Sequence, residues 1–171
     1  VNKGIEIYAE FDVLGALFRT GKFGHLNLFT SISWIDAVYR QWDNPSIVND
    51  PLKTLVGKKV EYVPRKTYRI GTTYLYRKFS FTAQYNFVDA VFADALNTEA
   101  PNSSSTTGKI PAYSITDASV SYGFYKYYII KAGVNNLMNA KYFTRRAAGY
   151  PGPGLMPGNG RTVFLSVSAK F

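Results

Sequence analysis

The chain contains no cysteine and a single histidine. The first absence excludes a disulfide scaffold and any thiolate-ligated metal site. One histidine makes a poor metal site, so His25 reads as a residue opening a strand beside a short turn. A spanning helix is missing too, since no stretch approaches the roughly 18 consecutive apolar residues it requires. Charged residues make up only 18% of the chain, which is low for a soluble surface. There is no charged leader followed by an apolar segment, and the chain begins at Val1. An exported protein needs such a leader, so the expectation is a mature segment or a piece of a longer polypeptide, the piece being favoured.

What is present pulls in one direction. Aromatic residues reach 16%, almost all Tyr and Phe, yet mean hydropathy is only -0.12, because apolar residues alternate with Ser, Thr, Asn and Gly. That interleaving suits a sheet with one apolar and one polar face. The formal net charge of +9 raises the question of nucleic acid. The Lys and Arg are scattered, however, with the tightest pairs at Lys58-Lys59, Arg65-Lys66 and Arg145-Arg146, and no nucleic-acid partner is expected. A solvated surface or a basic vestibule drawing in an anionic ligand are the two readings.

Period-two alternation recurs from end to end. Between Gly4 and Val13, Ile5, Ile7, Ala9, Phe11 and Val13 share one face, against Glu6, Tyr8, Glu10 and Asp12. Between His25 and Asp36, Leu26, Leu28, Ile32 and Trp34 oppose Asn27, Phe29, Ser31 and Ser33. The same pattern runs through Thr67–Arg77, Phe79–Val88, Asp117–Phe124, Tyr128–Asn135 and Thr162–Phe171, giving seven strands. No helical periodicity competes with them.

The connections alternate strictly between short and long. The short ones lie at Arg19–Gly24, at Arg77-Lys78 and around Tyr125-Lys126. The long ones are Asp43–Gly57, rich in Asn, Asp and Pro; Asp94–Pro111, with a run from Asn102 to Gly108; and Thr144–Gly160, rich in Gly and Pro. Membrane barrels have this asymmetry, with short periplasmic turns and long extracellular loops. Aromatics gather at both boundaries. Tyr76, Phe79, Phe124 and Tyr128 flank short turns, while Tyr39, Trp42 and Tyr142 sit near long loops, as interfacial girdles would. Ordinary strand enrichment in aromatics explains any one of them equally well.

The expected fold class is therefore all-β, an antiparallel transmembrane β-barrel segment. Each run has about the 9–11 residues of a tilted spanning strand. Seven is an odd number and below the minimum of eight for a bacterial single-chain barrel, so the chain is expected to be completed by further strands.

At the C-terminus the segment Gly133-Val134-Asn135-Asn136-Leu137-Met138-Asn139-Ala140-Lys141-Tyr142 resembles the penultimate-strand signature of TonB-dependent receptors. Met138 replaces the usual Phe in an apolar slot. Gly160-Arg161, the terminal Phe171, Val63-Pro64-Arg65-Lys66, Asn97-Thr98 and Ile110-Pro111-Ala112-Tyr113 ahead of Asp117 fit the same family. Tyr142-Phe143-Thr144-Arg145-Arg146 and Pro151-Gly152-Pro153-Gly154 look most like its ferric dicitrate receptor branch.

The resemblance implies a C-terminal part, residues 1–171, of a barrel of about twenty-two strands, with the plug domain and earlier strands outside this chain. It implies an outer-membrane receptor importing a ferric chelate, energised through TonB acting on the absent N-terminal region. It also implies assembly by the barrel-assembly machinery, which reads Phe171, amid outer-membrane lipid and lipopolysaccharide. A receptor for a glycan or vitamin complex, a non-transporting adhesive barrel, and a soluble β-sandwich remain alternatives.

No bond chemistry is expected. Glu6, Glu10 and Asp12 are spaced as a barrel's lumen-facing residues are. Gly152, Gly154, Gly158 and Gly160 precede no helix and match no nucleotide motif. No cofactor or metal is expected of this segment, the ferric chelate being cargo. Arg145, Arg146 and Arg161 are the candidate ligand contacts, because guanidinium groups pair bidentately with the carboxylates of an anionic chelate.

Overall fold

A computed structural model describes residues 1–18, 21–42, 54–125, 127–149 and 152–169. Arg19, residues 43–53, Lys126, Pro151 and the terminal Phe171 lie outside these.

The alternating runs form the strands. In chain order the elements are β1 (Asn2–Asp12), helix α1 (Val13–Leu17), β2 (His25–Ala37), β3 (Lys66–Tyr76), β4 (Phe79–Val88), β5 (Val91–Phe92), β6 (Lys109–Ile110), β7 (Tyr113–Phe124), β8 (Tyr128–Asn135), β9 (Phe143–Ala147), β10 (Gly154–Pro157) and β11 (Thr162–Ala169). One antiparallel sheet of seven strands runs β1-β2-β3-β4-β7-β8-β11. Each strand pairs with the next long one along the chain, as in a barrel meander, and β1 and β11 are its open edges.

The register keeps the two faces apart. Ile5↔Trp34↔Lys66 and Ile7↔Ile32↔Tyr68↔Phe87 lie on one side, and Glu10↔Phe29↔Gly71↔Gln84↔Asp117 on the other. Among the described residues no second layer covers the apolar side. Ile5 is 62% exposed, Phe11 59% and Leu165 72%. A soluble sandwich would have to bury these residues, so that alternative fails. Among the described residues the buried hydrophobics are Ala37, Leu55 and Ile110, none of them in the middle of the wall. Nor is any described helix long and apolar enough to cross a membrane.

Two aromatic residues on the polar face have a local cause. A Cβ added at Gly71 would collide with the Phe29 ring and approach the Ala83 carbonyl oxygen to 2.8 Å. At Gly133 it would meet Phe164 Cε1 at 2.6 Å and the Ala118 carbonyl oxygen at 2.9 Å. Each ring thus lies across a glycine on the neighbouring strand, covering backbone that no side chain shields.

Three sequence expectations are corrected. Val13 does not extend the first strand but begins α1. The Asp12 carboxylate accepts hydrogen bonds from the Gly15 N–H at 2.9 Å and the Leu26 N–H at 3.2 Å, an N-cap that stops the strand and starts a helical turn. The fifth wall strand begins at Tyr113, ahead of Asp117. The second and third long connections are not irregular throughout, for β5 pairs with β6 and β9 with β10.

Candidate functional site

All three long connections, residues 38–65, 89–112 and 136–161, emerge from one end of the sheet. Short hydrogen-bonded ribbons stiffen two of them, and cross-links turn the three into one head. Tyr62 N–H donates to the Phe92 carbonyl at 2.9 Å, joining the first connection to the second. Lys59 N–H donates to Asn97 Oδ1 at 2.7 Å, and Asn97 Nδ2 returns a bond to the Lys59 carbonyl at 2.8 Å. Tyr62 also donates its hydroxyl to the Arg146 carbonyl at 3.0 Å, reaching the third connection.

Arg146 closes the triangle. It is 8% exposed, and its terminal nitrogens donate to the Ser105 and Lys109 carbonyls, both at 3.1 Å. Its Nε is buried without a hydrogen-bond partner, and the guanidinium lies 5.1 Å from the Phe143 ring centre. A buried cation is costly unless paired and hydrogen-bonded, and here neutral carbonyls and a ring face carry it. Arg145 points the other way, exposed and 5.6 Å over the Tyr62 ring. Lys59 and Lys109 lie over the Phe92 ring at 5.9 and 5.4 Å. Arg161 is exposed at the base of β11, and its backbone N–H donates to Asn139 Oδ1 at 3.1 Å.

The root of the third connection is fixed by Asn136, a residue inside the C-terminal signature to which sequence reasoning gave no role. It is 3% exposed with φ of 51°. Its Nδ2 donates to the Ala140 and Asn159 carbonyls at 2.9 and 3.1 Å, and its Oδ1 accepts from Ala140 N–H at 2.8 Å. Its own N–H donates to Asp117 Oδ1 at 2.9 Å. Asn tolerates the left-handed conformation and can bond its own turn, which fits it to this place.

Asp117 carries the link into the wall. Its other oxygen accepts from Gln84 at 3.1 Å and Asn86 at 3.4 Å, and Asn86 accepts from Arg69 Nε at 2.8 Å. These side chains line a concavity on the polar face directly beneath the head. Sequence reasoning missed this network, although the Asp and Asn on alternating positions were its signal.

The boundary aromatics divide in the structure. Tyr76, Phe79, Phe124 and Tyr128 are in phase with the apolar face at the short-turn end, Phe124 and Tyr128 stacking at 5.4 Å. Tyr142 instead stacks on Tyr113 at 4.6 Å, inside the head. Tyr39 donates its hydroxyl to Glu61 at 2.8 Å and lies edge-on to Trp42. That hydrogen bond, with partial burial and the Glu61 charge, holds the Tyr39 phenol above its ordinary pKa.

Residues 1–137 match the family described as TonB dependent receptor-like, beta-barrel. The chain belongs to that family. Its members are outer-membrane proteins and not enzymes, and this chain is an outer-membrane β-barrel chain.

The solved structure of the unliganded ferric citrate transporter FecA is 25% identical, with a TM-score of 0.84 over 99% of this chain and 24% of its own. The siderophore receptor PiuA from Acinetobacter baumannii is 21% identical with a TM-score of 0.71, over 99% of this chain and 22% of its own. The ferric yersiniabactin uptake receptor FyuA from Yersinia pestis is 16% identical with a TM-score of 0.72, over 99% and 23%. The TonB-dependent receptor chain described here therefore spans 24%, 22% and 23% of these three relatives.

Proposed function

We propose that this chain is the C-terminal part of a plugged barrel of about twenty-two strands that imports an anionic ferric chelate, ferric citrate foremost. The observation that carries the reading is the cross-linked head, which gathers Lys59, Lys109, Arg145 and Arg146, Lys109 being paired with Glu99 at 3.2 Å, while Arg161 stands exposed at the base of β11. Its wall is similar to that of the ferric citrate transporter. An excess of positive charge above a barrel mouth raises the local concentration of an anionic cargo.

In this reading Arg145 and Arg161 supply bidentate donors to chelate carboxylates. Arg146 adds its charge and holds the platform on which the cargo rests. The open edges of β1 and β11 would be met by the remaining strands. A plug would occupy the polar interior, TonB would act on that plug, and Phe171 would serve the assembly machinery.

The test is ferric citrate binding and uptake by the full-length receptor carrying Arg145→Glu and Arg161→Glu. Losing charge-assisted hydrogen bonds of about 1.5–3 kcal/mol corresponds to an affinity roughly 10- to 100-fold weaker. Unchanged affinity would remove ferric citrate from the reading. Uptake of a glycan or a vitamin complex in its place would assign the alternative cargo. A receptor that takes up nothing would be a structural or adhesive barrel.

A further inference from the structure

The apolar face is not apolar to its end. At the long-connection end of β1, β2 and β3, Lys3 pairs in register with Asp36, and Trp34 pairs with both Ile5 and Lys66. Arg65 precedes β3, and its carbonyl accepts from Ile35 N–H at 2.9 Å, which fixes its backbone against β2. Its guanidinium carbon sits 5.5 Å over the centre of the Trp34 ring, which is 48% exposed. Lys3, Arg65 and Lys66 are all exposed, and two acids lie beside them: Asp36, in register with Lys3, and Asp89, whose N–H donates to the Lys66 carbonyl at 3.0 Å and whose carboxylate accepts from Ala90 N–H.

Hydrocarbon cannot solvate these cations, so they must reach the headgroup plane. Trp34 places that plane, because indole rings favour the membrane interface. Long loops face outward in membrane barrels, so the plane is that of the outer leaflet. What a fork-shaped donor and two point charges can recognise there is phosphate.

We propose that Lys3, Trp34, Arg65 and Lys66 form a docking site for the phosphorylated headgroup of an outer-leaflet lipid. The guanidinium of Arg65 grips one phosphate from above the Trp34 ring, Lys66 and Lys3 flank it, and Trp34 and Ile5 receive the first methylenes of the acyl chains. The site rests on the outer-membrane placement of the sheet and is independent of the cargo.

The experiment uses the full-length receptor in detergent micelles, with diphosphoryl lipid A as probe and retention read by native mass spectrometry. The wild type should retain the probe. The R65Q/K66Q variant should hold it on the order of tenfold or more weaker, two basic contacts of about 1 kcal/mol each being removed. The charge-preserving R65K/K66R variant should keep most of the affinity, which guards against a folding defect in the first. Equal retention by R65Q/K66Q would overturn the proposal, as would equal retention of lipid A stripped of both phosphates. Displacement of the lipid by millimolar inorganic phosphate would assign the site to a free anion and overturn it too. Ferric citrate binding, measured on the same variants, should not move, so failure here and failure of the cargo reading are separable.

Discussion

Arg146 Nη2 donates to the carbonyl oxygen of Lys109 at 3.1 Å, joining the third long connection to the end of the second. The contact spans 37 residues of sequence and uses backbone as its acceptor. With the matching bond to Ser105, it lets one side chain tie the third connection to the second.

Removing that side chain should loosen the head and spare the wall. Arg146→Ala strands the carbonyls of two half-buried residues, at a local cost of about 1–3 kcal/mol. Limited proteolysis of the folded receptor should show faster cleavage within residues 102–108, with the thermal unfolding of the barrel little changed. Arg146→Lys should behave like Ala, since a single ammonium does not reproduce the guanidinium fork.

Asn136 should prove as sensitive as a core residue despite its polarity. Asn136→Ala loses three side-chain hydrogen bonds and keeps the strained φ of 51°. A loss of roughly 3 kcal/mol is expected, three bonds near 1 kcal/mol each being removed together. Equilibrium unfolding in lipid vesicles measures it. Asn136→Gly, which relieves the backbone, should recover part of the loss.

The two faces can be told apart by a matched pair. Ile32→Lys puts an ammonium toward hydrocarbon near mid-wall and should cost about 2–4 kcal/mol. Ser33→Lys, one residue along, faces the other way with Glu6 opposite it in register. It should be close to neutral in the same vesicle assay. Equal costs would contradict the assignment of faces.

Glycines beneath aromatic rings form a third class. Gly71→Val must displace the Phe29 ring and press on the Ala83 carbonyl. Overpacking of this kind costs about 1–3 kcal/mol. It should appear as a smaller fraction of heat-modifiable, folded barrel on gels. The same substitution at Gly123, whose nearest contact for a Cβ is 3.7 Å away, should be milder.

The wall was legible in the sequence because a strand exposed to different solvents on its two sides writes them into alternate residues. Seven strands and their alternation of short and long connections could be read that way, although β7 began earlier than its pattern showed. Helix α1 escaped because its cause is one capping carboxylate rather than a periodicity. The ribbons β5–β6 and β9–β10 escaped because strands of two to five residues are too short to show a period.

Phe29 looked out of place among polar neighbours until Gly71, on another strand, was found beneath it. The head was legible only as a set of charges. Arg146 was readable as a cation near the cargo, but not as a clasp on carbonyls, since a backbone acceptor leaves no mark in composition or spacing.

The bare flanks of β1 and β11 have a practical consequence for anyone producing this polypeptide. Each flank offers a row of unanswered amide and carbonyl groups beside an oily surface, so the isolated chain should seed its own precipitation from dilute denaturant. Strands supplied in trans to pair with those flanks ought to suppress that fate, as a zipper stops snagging once its other half is threaded.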